Sequence, residues 1–120
     1  MKLLHSFRVA VRGLWWAGGE RNVRIHLGIF LLVVLAGIYF GLAQWEWALI
    51  FLASGLVVSA EVLNTALEEL ADVVKESENL SFNKTMRTRD IAAGGVLVAA
   101  IAAASVGILI FGPRITLLFW

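Results

Sequence analysis

The stretch Glu61-Val62-Leu63-Asn64-Thr65-Ala66-Leu67-Glu68-Glu69-Leu70-Ala71-Asp72 places carboxylates at the end of a long apolar run. At about 100° per residue, Glu61, Asn64, Glu68 and Asp72 fall within about 80° of one another and form one polar stripe on one helix face. A charged carboxylate at bilayer depth costs roughly 2.5 to 3.5 kcal/mol on insertion scales, so such a stripe must face protein, water or metal. Glu68, Glu69 and Asp72 alone would also suit a solvated helix end. Glu61 lies one to two turns deeper and does not.

Around that stretch, the 120 residues are 60% hydrophobic and only 16% charged, with a mean hydropathy of +0.85. These values predict an all-α integral membrane protein of one domain, residues 1–120, built as a helical bundle. Three apolar runs are long enough to span a core of roughly 30 Å. They cover about 25–43, about 45–68 with a polar-faced extension to about 75, and about 91–111, where Gly112-Pro113 is expected to end the helix. The first run follows four arginines and no cleavage site follows it, so it reads as a span rather than a signal peptide. Before it, over about 2–17, Leu4, Phe7, Val11, Leu14 and Trp15 recur at three- and four-residue spacing with Arg8 and Arg12 on another side. This predicts an amphipathic helix lying in the headgroup region, with a turn at Gly18-Gly19. Residues 76–83 read as a flexible loop, with Ser81 or Asn83 starting a short helix into the third span.

Lysine and arginine set the expected orientation. Lys2, Arg8, Arg12, Arg21 and Arg24 precede the first span, Lys75, Lys84, Arg87 and Arg89 lie between the second and third, and only Arg114 falls on the other side. The N-terminus and the second loop are therefore expected in the cytoplasm, in a multi-pass protein of the inner membrane. Trp45 and Trp47, with Glu46, read as anchors at the outer interface. His26 reads as interfacial packing, and Gly37, Gly41 and the Ala92–Gly95 run as surfaces for close helix packing.

The chain contains no cysteine, and its net charge is only +1. Disulfide and thiolate chemistry are thus excluded, and no nucleic-acid footprint is visible. No glycine loop ending in Lys-Ser or Lys-Thr, no dinucleotide fingerprint, no Gly-x-Ser-x-Gly and no His-Glu-x-x-His occurs. Chemistry must come from carboxylates. Glu20, Glu61, Glu68, Glu69, Asp72 and Asp90 all fall in the cytoplasmic half, where ATP is available, and such hard oxygens suit Mg2+. One chain this short cannot wall off a large site, so a homo-oligomer is expected.

Three segments taken in order, Glu20-Arg21-Asn22-Val23-Arg24-Ile25-His26, Glu61 to Asp72, and Arg89-Asp90-Ile91-Ala92-Ala93-Gly94-Gly95-Val96-Leu97, resemble the small prokaryotic diacylglycerol kinase and undecaprenol kinase family. The resemblance runs from about Ser6 to Phe111. It implies a homotrimer, a surface helix plus three spans, and transfer of the ATP γ-phosphate to a membrane lipid hydroxyl. It gives Glu61 the part of general base, and Glu20 and Glu68 that of magnesium ligands. Arg8, Glu20, Glu68, Arg89 and Asp90 are implied at the nucleotide, with Asn64 and Asp72 as polar support. Arg89 stands where the family usually has lysine, and the segment between Asp72 and Asp90 is about three residues longer than usual. Undecaprenol is the expected acceptor, with diacylglycerol the alternative. A cation conductor would also carry acids on one face, but the outer halves of the spans offer it no polar continuation. A non-enzymatic membrane subunit would tolerate loss of Glu20 or Glu68.

Overall fold

In the computed structural model, which describes every residue from Met1 to Trp120, four helices follow one another: α1 (Lys2–Ala17), α2 (Arg21–Phe40), α3 (Gln44–Ser77) and α4 (Phe82–Leu118). The last three are each long and apolar enough to cross a membrane. Only 14 of the 120 residues are buried, and large side chains such as Leu31, Leu52 and Leu109 point outward. A chain in water would pay heavily for that surface, whereas hydrocarbon accepts it.

Three short turns connect the helices. After α1, the Gly18 and Gly19 amides close onto the carbonyls of Leu14 and Trp16, and Glu20 occupies the N-cap position of α2 in extended backbone. At the far end of α2, Gly41 takes a left-handed conformation (φ +66°), so that its amide and that of Leu42 both reach the Gly37 carbonyl. Gly41 is therefore a helix stop rather than a packing surface, a role glycine fills because it carries no Cβ. Gly37 does serve close packing. A Cβ there would lie 2.6 Å from the Trp47 ring, which stacks on Phe51 at 5.8 Å.

The turn between α3 and α4 is much tighter than the flexible loop expected over 76–83. Asn79 adopts the left-handed region (φ 52°), which asparagine tolerates, and the Leu80 amide bonds to the Lys75 carbonyl at 2.8 Å. Ser81 takes the N-cap position of α4, which then runs unbroken through the third apolar run.

α3 packs chiefly on α4 as an antiparallel hairpin, with an ion pair near each end: Asp72 with Arg89 at 2.7 Å, and Glu46 with Arg114 at 2.6 Å. In the second, the Arg114 guanidinium donates to both carboxylate oxygens of Glu46, at 2.6 and 2.7 Å, and also to the Ile110 carbonyl at 2.7 Å. Glu46 additionally accepts from the Ala43 amide at 3.0 Å, half of a capping box. This arrangement corrects the expectation that Gly112-Pro113 ends the third span. Pro113 sits inside α4, and Arg114 ties the turn after it both to α4 itself and to α3. Arg114 is thus not a stray outside charge, and Glu46 is buried rather than a simple interface residue. Beside the pair, Leu42, Ile50 and Ile110 form a small apolar core with Trp47 and Phe111 against it.

Removing one partner leaves the other charge without a counterion, so Arg114→Ala is expected to lower the unfolding temperature in detergent, and adding Glu46→Ala to recover part of the loss. Thermal unfolding of the two single variants and the double variant measures this; strictly additive losses would show that the pair does not couple the helices.

Candidate active site

The polar stripe on α3 turns inward over Glu61 and Asn64, while its far end at Asp72 is exposed. Glu61, Asn64 and Thr65 are buried, and Glu68, one turn further on, is half-buried. Glu61 is only 3% exposed. Facing it from the first turns of α2 is His26, whose Nε2 lies 3.6 Å from the carboxylate, ion-pair range rather than hydrogen-bond range. His26, read from the sequence as interfacial packing, thus touches the deepest acid in the chain.

The rest of the stripe holds itself in place along the helix. Thr65 donates its hydroxyl to the Glu61 carbonyl at 3.0 Å, and the Asn64 amide nitrogen donates to Glu68 Oε1 at 3.2 Å. The other end of that amide, Asn64 Oδ1, is buried with no partner. A buried acceptor left unpaired is costly, so it marks a place where a donor or a cation belongs. α1 crosses the same stretch of α3, and Gly13, Leu14 and Ala17 on one side with Val62, Thr65 and Glu69 on the other line a groove between them.

A second polar group lies below. Arg89 donates from Nη2 to Asp72 at 2.7 Å and from Nε to Thr85 Oγ1 at 3.1 Å, with its guanidinium 4.8 Å above the Phe82 ring. Arg8, Glu20 and Asp90 are exposed and form no ion pair with either group. The structure therefore joins His26, Glu61, Asn64, Thr65 and Glu68 on one side, and Asp72 with Arg89 on another. No three acidic or histidine side chains of one chain converge closely enough to hold a metal ion among themselves.

A family profile described as "Prokaryotic diacylglycerol kinase" matches residues 8–111. The chain belongs to this family. It is a membrane protein of a family of lipid kinases, enzymes that move phosphate from ATP onto a lipid. It is 35% identical to an undecaprenol kinase of Bacillus subtilis (strain 168) over 115 residues, covering 95% of this chain and 91% of that protein. It is also 39% identical to a diacylglycerol kinase of Synechocystis sp. over 118 residues, covering 97% of this chain and 66% of that protein. No solved structure matches it.

The Asp72 side chain is 55% exposed, so its pair with Arg89 is largely water-screened. Arg89→Lys gives up the fork that reaches Thr85 and Asp72 together, yet should change stability by no more than about 1 kcal/mol. Chemical denaturation of the purified variant checks this; a larger loss would make the pair a structural clamp.

Proposed function

We propose that this kinase transfers the γ-phosphate of ATP to the hydroxyl of undecaprenol, with Glu61 as the general base. The observation that carries the reading is a carboxylate buried on a spanning helix, next to a histidine from another span. Counted from the buried Glu46, twenty residues of helix, roughly 30 Å of hydrocarbon, end at Ala66. Glu61 falls a little over one turn inside that boundary, level with a lipid hydroxyl that diffuses in sideways while ATP arrives from water. The B. subtilis relative, matched over most of both chains, favours undecaprenol. The Synechocystis relative keeps diacylglycerol as the second reading.

In this reading Glu61 takes the proton as the lipid oxygen attacks the γ-phosphorus, the bond to the bridging oxygen breaks, and ADP leaves. Such a transition state is loose and anionic, so catalysis rests on alignment and charge neutralisation. Glu20 and Glu68 would hold Mg2+, which when bound neutralises charge on the phosphate oxygens. The half-buried Glu68 carboxylate supports its own part of this fit, because magnesium is usually held by one or two carboxylates with water and phosphate completing the shell. Asn64 and Asp72 orient the neighbouring charges, while Arg8, Arg89 and Asp90 serve the nucleotide. Exposed Leu4, Phe7 and Trp15 support a membrane-surface position for α1. The shortness of the chain supports a homo-oligomer, which the family resemblance makes a homotrimer, and the cluster of basic residues supports a cytoplasmic N-terminus in the inner membrane.

Glu61→Gln keeps the size and removes the base. With labelled ATP and magnesium in mixed micelles, lipid phosphorylation should fall by about 10² to 10⁴-fold while the variant still assembles. Unchanged turnover would assign the base elsewhere, and no labelled lipid from the wild type would remove the kinase reading.

A further inference from the structure

A cavity of about 290 Å³ lies between α2, α3 and α4, on the same face of α3 as the polar stripe but further along the helix, beyond His26. His26 is part of its wall and stands 3.6 Å from Glu61, so the cavity opens beside the candidate base. Its walls include Phe30 from α2, Ser54 and Val57 from α3, and Ala103 and Gly107 from α4, with Ile50 the lining residue of α3 furthest from Glu61. Glu61 and Ile50 are eleven residues apart, about 16 Å of helix, so the space follows the spans toward the opposite membrane face. It exists because α3 and α4 present small side chains to each other here. A Cβ built on Gly107 meets no atom within 4 Å.

We infer that this cavity receives the hydrocarbon attached to the acceptor hydroxyl and that it selects an alcohol with a single chain. The inference rests on the reading of Glu61 as the base. An alcohol whose hydroxyl carbon is the end of one chain can present its oxygen to Glu61 and run the first part of that chain past His26 into apolar walls. A glycerol carrying two esters must place polar carbonyls beside the same mouth. Ten of the thirteen lining residues are hydrophobic, and only His26 and Ser54 offer polar side-chain atoms, so those carbonyls would lose water without gaining equivalent partners. The cavity thereby gives this chain a physical reason to prefer a polyprenol over a diacylglycerol, at residues remote from the phosphate chemistry.

The test uses the full-length purified protein in mixed micelles with labelled ATP and magnesium, offered undecaprenol, the two-isoprene alcohol geraniol, and dioleoylglycerol. Wild type should favour undecaprenol over dioleoylglycerol in kcat/KM. Gly107→Leu puts a side chain into the far part of the cavity, where a two-isoprene chain does not reach. It should lower the undecaprenol-to-geraniol ratio of kcat/KM by about tenfold or more, mainly through KM. A ratio that does not move overturns the inference while leaving the base assignment standing. A change in oligomeric state on light scattering also overturns it, because the space would then belong to a second copy of the chain. A separate measurement needs no variant: a geraniol carrying a diazirine on its second isoprene unit should label the near part of the cavity, around residues 57–58 and 100–104, and labelling confined to α1 overturns the inference. Wild type that phosphorylates none of the three alcohols removes the underlying kinase reading instead, and the cavity's role with it.

Discussion

The antiparallel pairing of α3 with α4, held near each end by an ion pair, fixes everything else in the molecule. Glu46 and Asp72, the two acids of those pairs, are 26 residues apart on one helix. That separation is about 39 Å, close to the thickness of a bilayer with its headgroups. The pair at the Glu46 end has its carboxylate buried, is forked and is tied to the backbone of both helices, at the Ala43 amide and the Ile110 carbonyl, whereas the pair at the Asp72 end is open to water. The hairpin is therefore anchored firmly at one end and loosely at the other. Its loose end carries the polar stripe.

That asymmetry suits a site that must admit two unlike substrates. Glu61 is held among fixed neighbours: Thr65 bonds its backbone carbonyl, and His26 faces its carboxylate across the gap from α2. One turn beyond, Glu68 and Asn64 form a pair with spare oxygen capacity facing the wetter end. Hydrocarbon lies on one side of His26 and charge on the other. Lipid and nucleotide can thus approach the same few ångströms from opposite directions, which is the geometric requirement of phosphoryl transfer to a membrane alcohol.

Much of this was legible in the sequence, for physical reasons that differ element by element. The three spans were visible because a backbone in lipid must satisfy its own hydrogen bonds, which makes long apolar runs nearly unambiguous as helices. The inward face of Glu61, Asn64 and Glu68 followed from helical periodicity. What the sequence did not disclose depended on contacts between distant residues. Pro113 looked like a helix end because the side chain that holds the next turn, Arg114, finds its partner 68 positions away at Glu46. Residues 76–83 looked like a loose loop because turn-forming residues are the same whether a turn is slack or closed by a left-handed Asn79. His26 looked like packing because nothing local announces that its ring points at an acid on another helix. Arg8, Glu20 and Asp90, linked to the site by resemblance to the family, stand apart from the buried cluster within one chain, as they would if nucleotide, metal or a neighbouring copy completes their surroundings.

The central claim is that the acceptor hydroxyl meets Glu61 at the membrane boundary. It is tested most directly by an experimental structure of the enzyme with a non-hydrolysable ATP analogue, magnesium and a polyprenol. The account predicts the alcohol oxygen within about 2.6 to 3.2 Å of the Glu61 carboxylate, with the chain running past His26. An alcohol oxygen held by other residues, with Glu61 turned away from it, would contradict the account.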